Sequence, residues 1–226
     1  MKKIVILTGA GISAESGIKT FRDADGLWEG HDIMEVASPV GWERNKDLVL
    51  DFYNKRRAQL LKVKPNEGHK ALVLLETKFD ITVITQNVDD LHERAGSRNI
   101  IHLHGELLKV RSTNNQHLIY NWKDDLNIGD YCKDKYQLRP HIVWFGEGVP
   151  MLDKAIEITS KADILIIIGT SMQVYPAANL INFVQRSIPI YFIDPKPTIQ
   201  QNKYPNLKII AEKASIGVLK VVNELI

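Results

Sequence analysis

The sequence predicts an α/β protein built on a mostly parallel, doubly wound sheet, and three observations carry this. Short runs of branched aliphatic residues recur along the chain without polar alternation, as strands buried on both faces do. Helical stretches fall between most of these runs, and such alternation closes into a parallel sheet through right-handed crossovers. The 226 residues, 44% apolar and 25% charged, suit one large domain or one domain with a modest insertion.

Taken in order, the first run is Ile4 to Leu7. It stops at Thr8-Gly9, too soon for a signal-peptide core. Gly9 to Ala14 follows and is expected to open a helix. Residues 26–64 break the rhythm, reading as loop and then helices, most clearly over Asp47 to Leu61. Glu67 to Lys78 reads as a helix, and Ile81 to Ile84 and Ile100 to Leu103 read as strands. Residues 106–142 are polar, with Asn114-Asn115 and Asp124-Asp125, and too long for an ordinary connection. Helices are expected over Leu152 to Lys161, Ala177 to Gln185 and Ser215 to Leu225, and strands over Ile164 to Ile168, Ile190 to Ile193 and Leu207 to Ala211. The stretches 26–64 and 106–142 are read as excursions forming a small second module. The main domain then comprises 1–25, 65–105 and 143–226, with a cleft between the two.

Composition excludes several classes. Lys+Arg 29 against Asp+Glu 27 leave a formal charge of +2 with no basic block, so no nucleic-acid or membrane partner is expected. The longest aliphatic run, Ile164 to Ile168, is far too short to span a bilayer. The single cysteine, Cys132, can form neither an intrachain disulfide nor a multi-cysteine zinc site. It fits a reducing compartment, and a cytoplasmic protein is expected.

In doubly wound sheets ligands bind outside the carboxyl ends of the strands, so the residues after each run are the ones that matter. Gly9-Ala10-Gly11-Ile12-Ser13-Ala14 is G-x-G-x-x-A, a form the dinucleotide fingerprint tolerates. Its glycines would let backbone N–H groups approach a pyrophosphate at a helix N-terminus; a tight strand-to-helix turn would use the same glycines. A dehydrogenase would place an acid at a strand end ~20 residues further on, but Glu29 and Asp32 fall in irregular sequence. Thr85-Gln86-Asn87-Val88-Asp89-Asp90 offers amides and a carboxylate able to bind another amide, or a loop and N-cap cluster. His102-Leu103-His104-Gly105 offers a general base near neutral pH, or structural histidines. Gly169-Thr170-Ser171 and Asp194 suit phosphate or ribose.

Taken together, Gly9 to Ile18, Thr20-Phe21-Arg22, Thr85 to Asp89, His104-Gly105, Pro140 to Glu147 and Gly169-Thr170-Ser171 resemble the sirtuins, NAD-dependent protein-lysine deacylases, over nearly the whole chain and in order. The resemblance implies a Rossmann-like large domain with a small helical module and a zinc ribbon. It implies that Gly9, Ala10 and Gly11 hold the NAD pyrophosphate and that Arg22 closes over the cofactor with Thr20 and Phe21. Gln86, Asn87 and Asp89 would line the nicotinamide and ribose pocket, with Asn87 and Asp89 orienting the carboxamide. His104 would be the general base. Thr170, Ser171, Asp194 and Ala214 would contact the adenosine side, and Glu15, Trp28, Val88 and Gly169 complete the cofactor-facing set. Val143, Trp144, Phe145 and Gly146, with Val174 and Tyr175, would flank an acyl-lysine peptide paired as a β-strand. The acyl oxygen would displace nicotinamide, and His104 would deprotonate a ribose hydroxyl, giving free lysine and O-acyl-ADP-ribose.

Tyr53 and Arg56 are three apart and share a helix face, either as a solvated surface or as a site. Their placement resembles the sirtuin subgroup that removes malonyl, succinyl and glutaryl groups, with Ala37 as its small upstream residue. Guanidinium pairs bidentately with a distal carboxylate and the Tyr hydroxyl adds a donor. Two departures stand out. The family's zinc ribbon needs four cysteines, whereas Ser112 replaces the first and only Cys132 remains, so no zinc is expected; Ile119, Tyr120, Trp122 and Tyr131 would pack the module instead. Asp194 replaces the usual asparagine, adding repulsion toward phosphate. Rival readings are an ADP-ribosyltransferase or NAD glycohydrolase on the same scaffold, a non-catalytic NAD or ADP-ribose sensor, and a dehydrogenase.

Overall fold

A computed structural model of the chain describes residues 1–19, 27, 28 and 30–226. Strand β1 (Lys3–Thr8) is followed by two single 3-10 turns, Ala10–Ile12 and Ala14–Ser16. A short hairpin pairs β2 (Leu27–Trp28) with β3 (His31–Asp32). Helices α1 (Ile33–Val36), α2 (Pro39–Arg44) and α3 (Lys46–Leu60) follow, each begun by a polar cap: Asp32, Ser38 and Asn45 accept from the N–H groups of Met34, Gly41 and Leu48. Such caps satisfy amides that the first helical turn leaves unpaired. Asn66 likewise caps α4 (Glu67–Leu75). Then come β4 (Asp80–Thr85), α5 (Leu91–Ala95), β5 (Ile100–His102), β6 (Gly105–Ser112), β7 (Ile119–Asn121), β8 (Leu138–Ile142), α6 (Leu152–Ser160) and β9 (Ile164–Ile168). A 3-10 helix at Ala177–Phe183, β10 (Ile190–Ile193), β11 (Leu207–Ile210) and α7 (Ala214–Leu225) complete the order.

Six parallel strands form the main sheet in the order β11-β10-β9-β1-β4-β5. Alternate residues of each strand face opposite layers. Ile4, Ile6, Ile81, Val83, Ile164 and Ile166 pack with Leu72 and Leu75 of α4 and Val218 and Val222 of α7. Val5, Leu7, Ile84, Leu165, Ile167 and Phe192 pack with Ala155 of α6 and Leu180 and Ile181 of the 3-10 helix. Both faces are therefore dry, which is why the runs lack polar alternation. The chain builds outward from β1 through β4 and β5, then crosses to the other side of β1 for β9, β10 and β11. The order thus reverses between β1 and β9. That reversal opens a crevice at the strands' carboxyl ends.

A third core joins the two excursions. Val36, Trp42, Phe52 and Tyr53 from the first pack with Leu107, Val110, Leu126, Cys132 and Leu138 from the second. In the second, β6 pairs antiparallel with β7 on one side and β8 on the other. Arg57 ties the pieces together. It is buried and donates to the Leu107 and Asp124 carbonyls and to Asn54 Oδ1 at 3.2, 3.2 and 2.7 Å.

Three expectations are corrected. The Gly9–Ala14 segment opens no α-helix, because its backbone is held to the β9 loop instead. Ala177 to Gln185 is a 3-10 helix ending at Phe183. Of the four residues expected to pack the small module, Tyr120 and Trp122 do lie against its core, but Ile119 and Tyr131 are exposed; Val110, Leu126 and Leu138 fill that role. Among the described residues no helix is long and apolar enough to cross a membrane.

Candidate active site

At the sheet's reversal point the β1 and β9 loops touch backbone to backbone. Gly9 N–H donates to Ile168 O at 3.0 Å and Gly11 N–H to Gly169 O at 2.8 Å. A Cβ on Gly11 would lie 2.6 Å from Gly169 Cα, and one on Gly169, whose φ is +61°, 2.4 Å from Ile12 N. No side chain fits either place. The glycines therefore serve loop-to-loop contact first, and with their two N–H groups spent, Ala10 N–H meets no acceptor among the described residues. A narrow, donor-bearing cradle at a switch point suits a dinucleotide pyrophosphate.

Beside the cradle, the β4 end supplies a buried polar network whose hub is Ser13. Ser13 O–H donates to Asp89 Oδ2 at 2.9 Å and accepts from Asn87 Nδ2 at 3.2 Å, with His69 Nε2 3.5 Å away. Below it, Thr8 O–H donates to Thr85 Oγ1 at 2.8 Å and His92 Nε2 lies 3.1 Å from Thr8 Oγ1. Because each hydroxyl hydrogen is already committed, both histidines must present N–H at Nε2. Each Nδ1 is buried without a partner among the described residues, so both rings are neutral. Burial, then Arg94, pulls the His69 pKa down to about 4; burial, His69 and His102 hold His92 well below the ordinary value. Burial raises the Asp89 carboxyl, against the Leu91 N–H and Ser13 hydroxyl that favour its charged form.

His104 follows β5. Its Nδ1 lies 2.9 Å from the Gln86 carbonyl. A carbonyl only accepts, so Nδ1 carries the hydrogen and Nε2 keeps a lone pair. Burial lowers the His104 pKa more than the Gln86 carbonyl raises it, leaving a neutral base at pH 7. Gln86 Nε2 in turn donates to Thr170 Oγ1 at 3.1 Å, joining the β4 and β9 ends. The His104 carbonyl accepts from Val143 N–H at 2.9 Å, and Phe145 N–H donates to Ala37 O at 2.9 Å. Phe145 and Tyr175 stand 41% and 72% exposed, as residues flanking a bound chain would. A Cβ on Gly146 would meet nothing within 4 Å.

Tyr53 is buried, and its hydroxyl accepts from Trp144 Nε1 at 3.0 Å. Burial raises its pKa, so the hydroxyl stays protonated. Trp144 is itself clamped: the Arg139 guanidinium lies 3.2 Å from its ring centroid, and Glu147 accepts its backbone N–H at 2.8 Å while pairing with Arg139 and Arg111. Arg56 is half-buried, lies over the Phe52 ring at 4.0 Å and donates to the Phe52 carbonyl at 2.9 Å.

Other sequence candidates fall in varied places. Glu15 accepts from Ser215 N–H and O–H at 2.9 and 2.8 Å, capping α7 beside buried Ala214. Trp28 packs edge-on against Phe52 and Tyr53, with centroids 4.8 and 6.2 Å away, among the acyl-site candidates. Val88 packs on the small-module core. Asp194 directly follows β10, buried, accepting from Lys196 N–H at 2.8 Å, and Ser171 O accepts from Thr198 at 2.9 Å. The Val174 carbonyl accepts from Ala178 N–H at 2.9 Å. Thr20, Phe21 and Arg22 lie outside the described residues, as does Glu29; Asp32 is the α1 cap. Sequence reasoning assigned nothing to Ser13, Thr8, His69, His92 or the Arg111–Glu147–Arg139 group. The histidines sit on apolar helix faces, and Ser13 and Glu147 sit inside motifs already quoted, which were the signals available.

The donors for a structural zinc do not assemble. Cys132 Sγ lies 3.4 Å from Ser112 Oγ, and the metal-capable cluster found among the described residues is Glu93, His102 and Glu106, on other elements. Structural zinc takes four ligands, so the residues present at Cys132 do not fit it.

The Sir2 family model matches residues 9–176. An NAD-dependent protein deacylase of Helicobacter pylori is 66% identical over 196 residues, covering 87% of this chain and 86% of that protein. One of Bacteroides thetaiotaomicron is 53% identical over 224 residues, covering 96% and 95%. The crystal structure of a Sir2 homologue in complex with NAD superposes with a TM-score of 0.88 at 40% identity, covering 99% of this chain and 89% of that one. Sir2 bound to acetylated peptide gives a TM-score of 0.81 at 30% identity, covering 98% and 92%.

The neutral histidines carry a pH signature. His69 has a folded-state pKa of about 4 against 6.5 when exposed, so the unfolded chain binds the extra proton first. Its contribution is present above about pH 6.5 and is lost as pH falls toward 4. The melting temperature should fall across that window, and fall less steeply in His69→Gln; equal slopes in thermal melts would contradict the assignment.

Proposed function

The chain belongs to the Sir2 family, and we propose that it removes acyl groups from protein lysines with consumption of NAD, succinyl and malonyl in preference to acetyl. The observation that supports the NAD reading best is the cradle at the β1/β9 reversal, with the neutral base His104 just beyond β5 at the same, carboxyl-end edge of the sheet. Bound there, NAD supplies an electrophilic ribose carbon, nicotinamide as leaving group and neighbouring ribose hydroxyls.

The chain's own residues do the rest. The turn at Gly9, Ala10 and Gly11 holds the pyrophosphate, while Thr170, Ser171 and Asp194 bind the adenosine side. Gln86, Asn87 and Asp89 bind the nicotinamide side, stiffened from below by Ser13 and Thr85. His104 Nε2 takes the proton of a ribose hydroxyl. The Gln86 carbonyl fixes its tautomer, so the lone pair is in place before substrate arrives. Val143 to Gly146 and Val174-Tyr175 flank the peptide, and the small module of residues 26–64 and 106–142 closes the cleft. Excluding water and aligning both substrates supplies much of the rate. Products are nicotinamide, free lysine and O-acyl-ADP-ribose.

For the acyl group, Tyr53 is the informative residue. Its oxygen already accepts from Trp144, so its own hydrogen remains for an acceptor, and Arg56 shares its face of α3. A donor hydroxyl beside a guanidinium suits a distal carboxylate, and buried Ala37 leaves room for the chain that carries it. We further propose that the small module folds without zinc, on the packing of Val110, Leu126, Cys132 and Leu138.

His104→Ala is expected to keep NAD binding and to lose deacylation ~10²–10⁴-fold; near-normal turnover would refute the base. Arg56→Met should lower kcat/KM on a succinyl peptide roughly 30-fold or more, since truncating one partner of a desolvated pair costs ~2–5 kcal/mol. The matched acetyl peptide should be little changed, and an equal loss on both would remove Arg56 from the specificity. Metal analysis of the purified chain should find far less than one zinc per molecule; a stoichiometric zinc would overturn the metal-free module.

A further inference from the structure

Asn87 is held at three points. Its N–H donates to Thr85 Oγ1 at 3.0 Å and its side-chain amide to Ser13 Oγ at 3.2 Å. Its carbonyl lies 3.2 Å from Nδ1 of His102, the last residue of β5. The first two anchors are hydroxyls, which do not titrate near neutral pH. The third does. The other nitrogen of the same ring, Nε2, lies 2.7 Å from Glu93 Oε1 on α5. Each ring nitrogen therefore faces an oxygen that only accepts, and the arrangement is complete only when both nitrogens carry hydrogen.

We propose that the Glu93–His102 pair is a positioning device: as an imidazolium braced by Glu93, His102 grips the Asn87 carbonyl and so fixes how Asn87 and Asp89 meet the nicotinamide end of NAD. The inference rests on the NAD reading of the site given above. His102 acts through Asn87 and is distinct in role from His104, whose Nδ1 bonds to Gln86 one residue earlier.

The surroundings support a charged ring. Burial alone pushes the His102 pKa down, but the hydrogen bond to and charge of Glu93, then Glu106 on β6 and the Asn87 carbonyl, raise it above the ordinary value. The remaining charged and titratable groups acting here are Asp89, His92 on α5, and Lys109, which is ion-paired to Glu106 at 2.7 Å. Glu93, His102 and Glu106 put ligand atoms within 4.8 Å of one another, yet Lys109 and the imidazolium proton already supply that cluster's positive charge. When His102 loses its proton, one nitrogen becomes a lone pair. Keeping the hydrogen on Nδ1 sets that lone pair against the Glu93 carboxylate; keeping it on Nε2 releases Asn87. The grip is thus present below the His102 pKa and is lost as pH rises through it.

The test is calorimetric NAD affinity from acidic to alkaline pH, with melting curves and acyl-peptide turnover alongside. It uses chelator-treated wild type, His102→Leu, His102→Asn and Glu93→Gln. His102→Leu should weaken NAD binding about tenfold, or 1.4 kcal/mol, with peptide KM and melting temperature near wild type. His102→Asn, whose amide hydrogen can reach the same carbonyl without titrating, should recover most of the affinity and abolish its alkaline decline. Glu93→Gln should shift that decline to lower pH. The proposal is overturned if His102→Leu binds NAD like wild type or loses NAD and peptide affinity in parallel with stability. It is also overturned if Glu93→Gln leaves the alkaline decline unmoved, or if wild-type affinity depends on restored zinc. A wild type that binds NAD but frees no lysine would defeat the deacylase reading instead, while the affinity comparison would still decide the role of His102.

Discussion

Gly11 donates its N–H to the carbonyl of Gly169, and around this backbone contact the two halves of the main sheet meet. β1 lies between β4 and β9, so the place where the strand order reverses is also where the β1 and β9 loops must pass each other. A Cβ on Gly9 would come within 2.8 Å of the Gly169 oxygen, and tightly packed backbone has little room to yield. The cradle's width is therefore set by the absence of side chains. Thr170, which follows Gly169, then reaches Gln86 and couples this edge of the cleft to the strand end that orients His104.

The loop after β4 is fixed by a different kind of contact. Asn87 and Asp89 sit above Ser13, Thr8, Thr85, His69 and His92, all of them buried. Buried polar groups are stabilising only when their partners are present. Here two hydroxyls relay hydrogen bonds between strands, and two neutral histidines stand beneath them, with ring centroids 4.9 Å apart. Two Nδ1 atoms without a partner among the described residues mean that this network forgoes stability in order to hold a geometry. Functional sites commonly show that trade.

The small module has a source of cohesion that needs no metal in the reading proposed above. Ser112 and Cys132 lie side by side on β6 and the loop before β8, where a thiol and a hydroxyl make one weak contact. Cohesion comes instead from one apolar core shared by both excursions and from Arg57, whose guanidinium binds two carbonyls of the opposite segment. Burial lowers the Arg57 pKa to about 10, still far enough above neutrality to keep it charged. Its neighbour Arg56 makes none of these bonds and lies half-buried over the Phe52 ring. Adjacent arginines on one helix thus divide between holding the module and, in the proposed function, meeting the acyl group.

Much was already decided by the sequence. The unalternated aliphatic runs, the helical stretches between them and the G-x-G spacing follow from local physics: burial on both faces, helix-forming composition and backbone room. They located the sheet, the principal helices and the strand ends where the chemistry gathers. Local physics reads neighbours in the chain, and the remaining features join residues far apart in it. Whether the Gly9–Ala14 turn became a helix depended on Gly169, 158 positions beyond Gly11. The tautomer of His104, the neutrality of His69 and His92, the Tyr53–Trp144 hydrogen bond and the clamp on Asn87 depended on atoms that only folding brings within 3.5 Å. Residue types and spacing determined which groups stand at the strand ends; tertiary packing decided which of their hydrogens and lone pairs remain to be used.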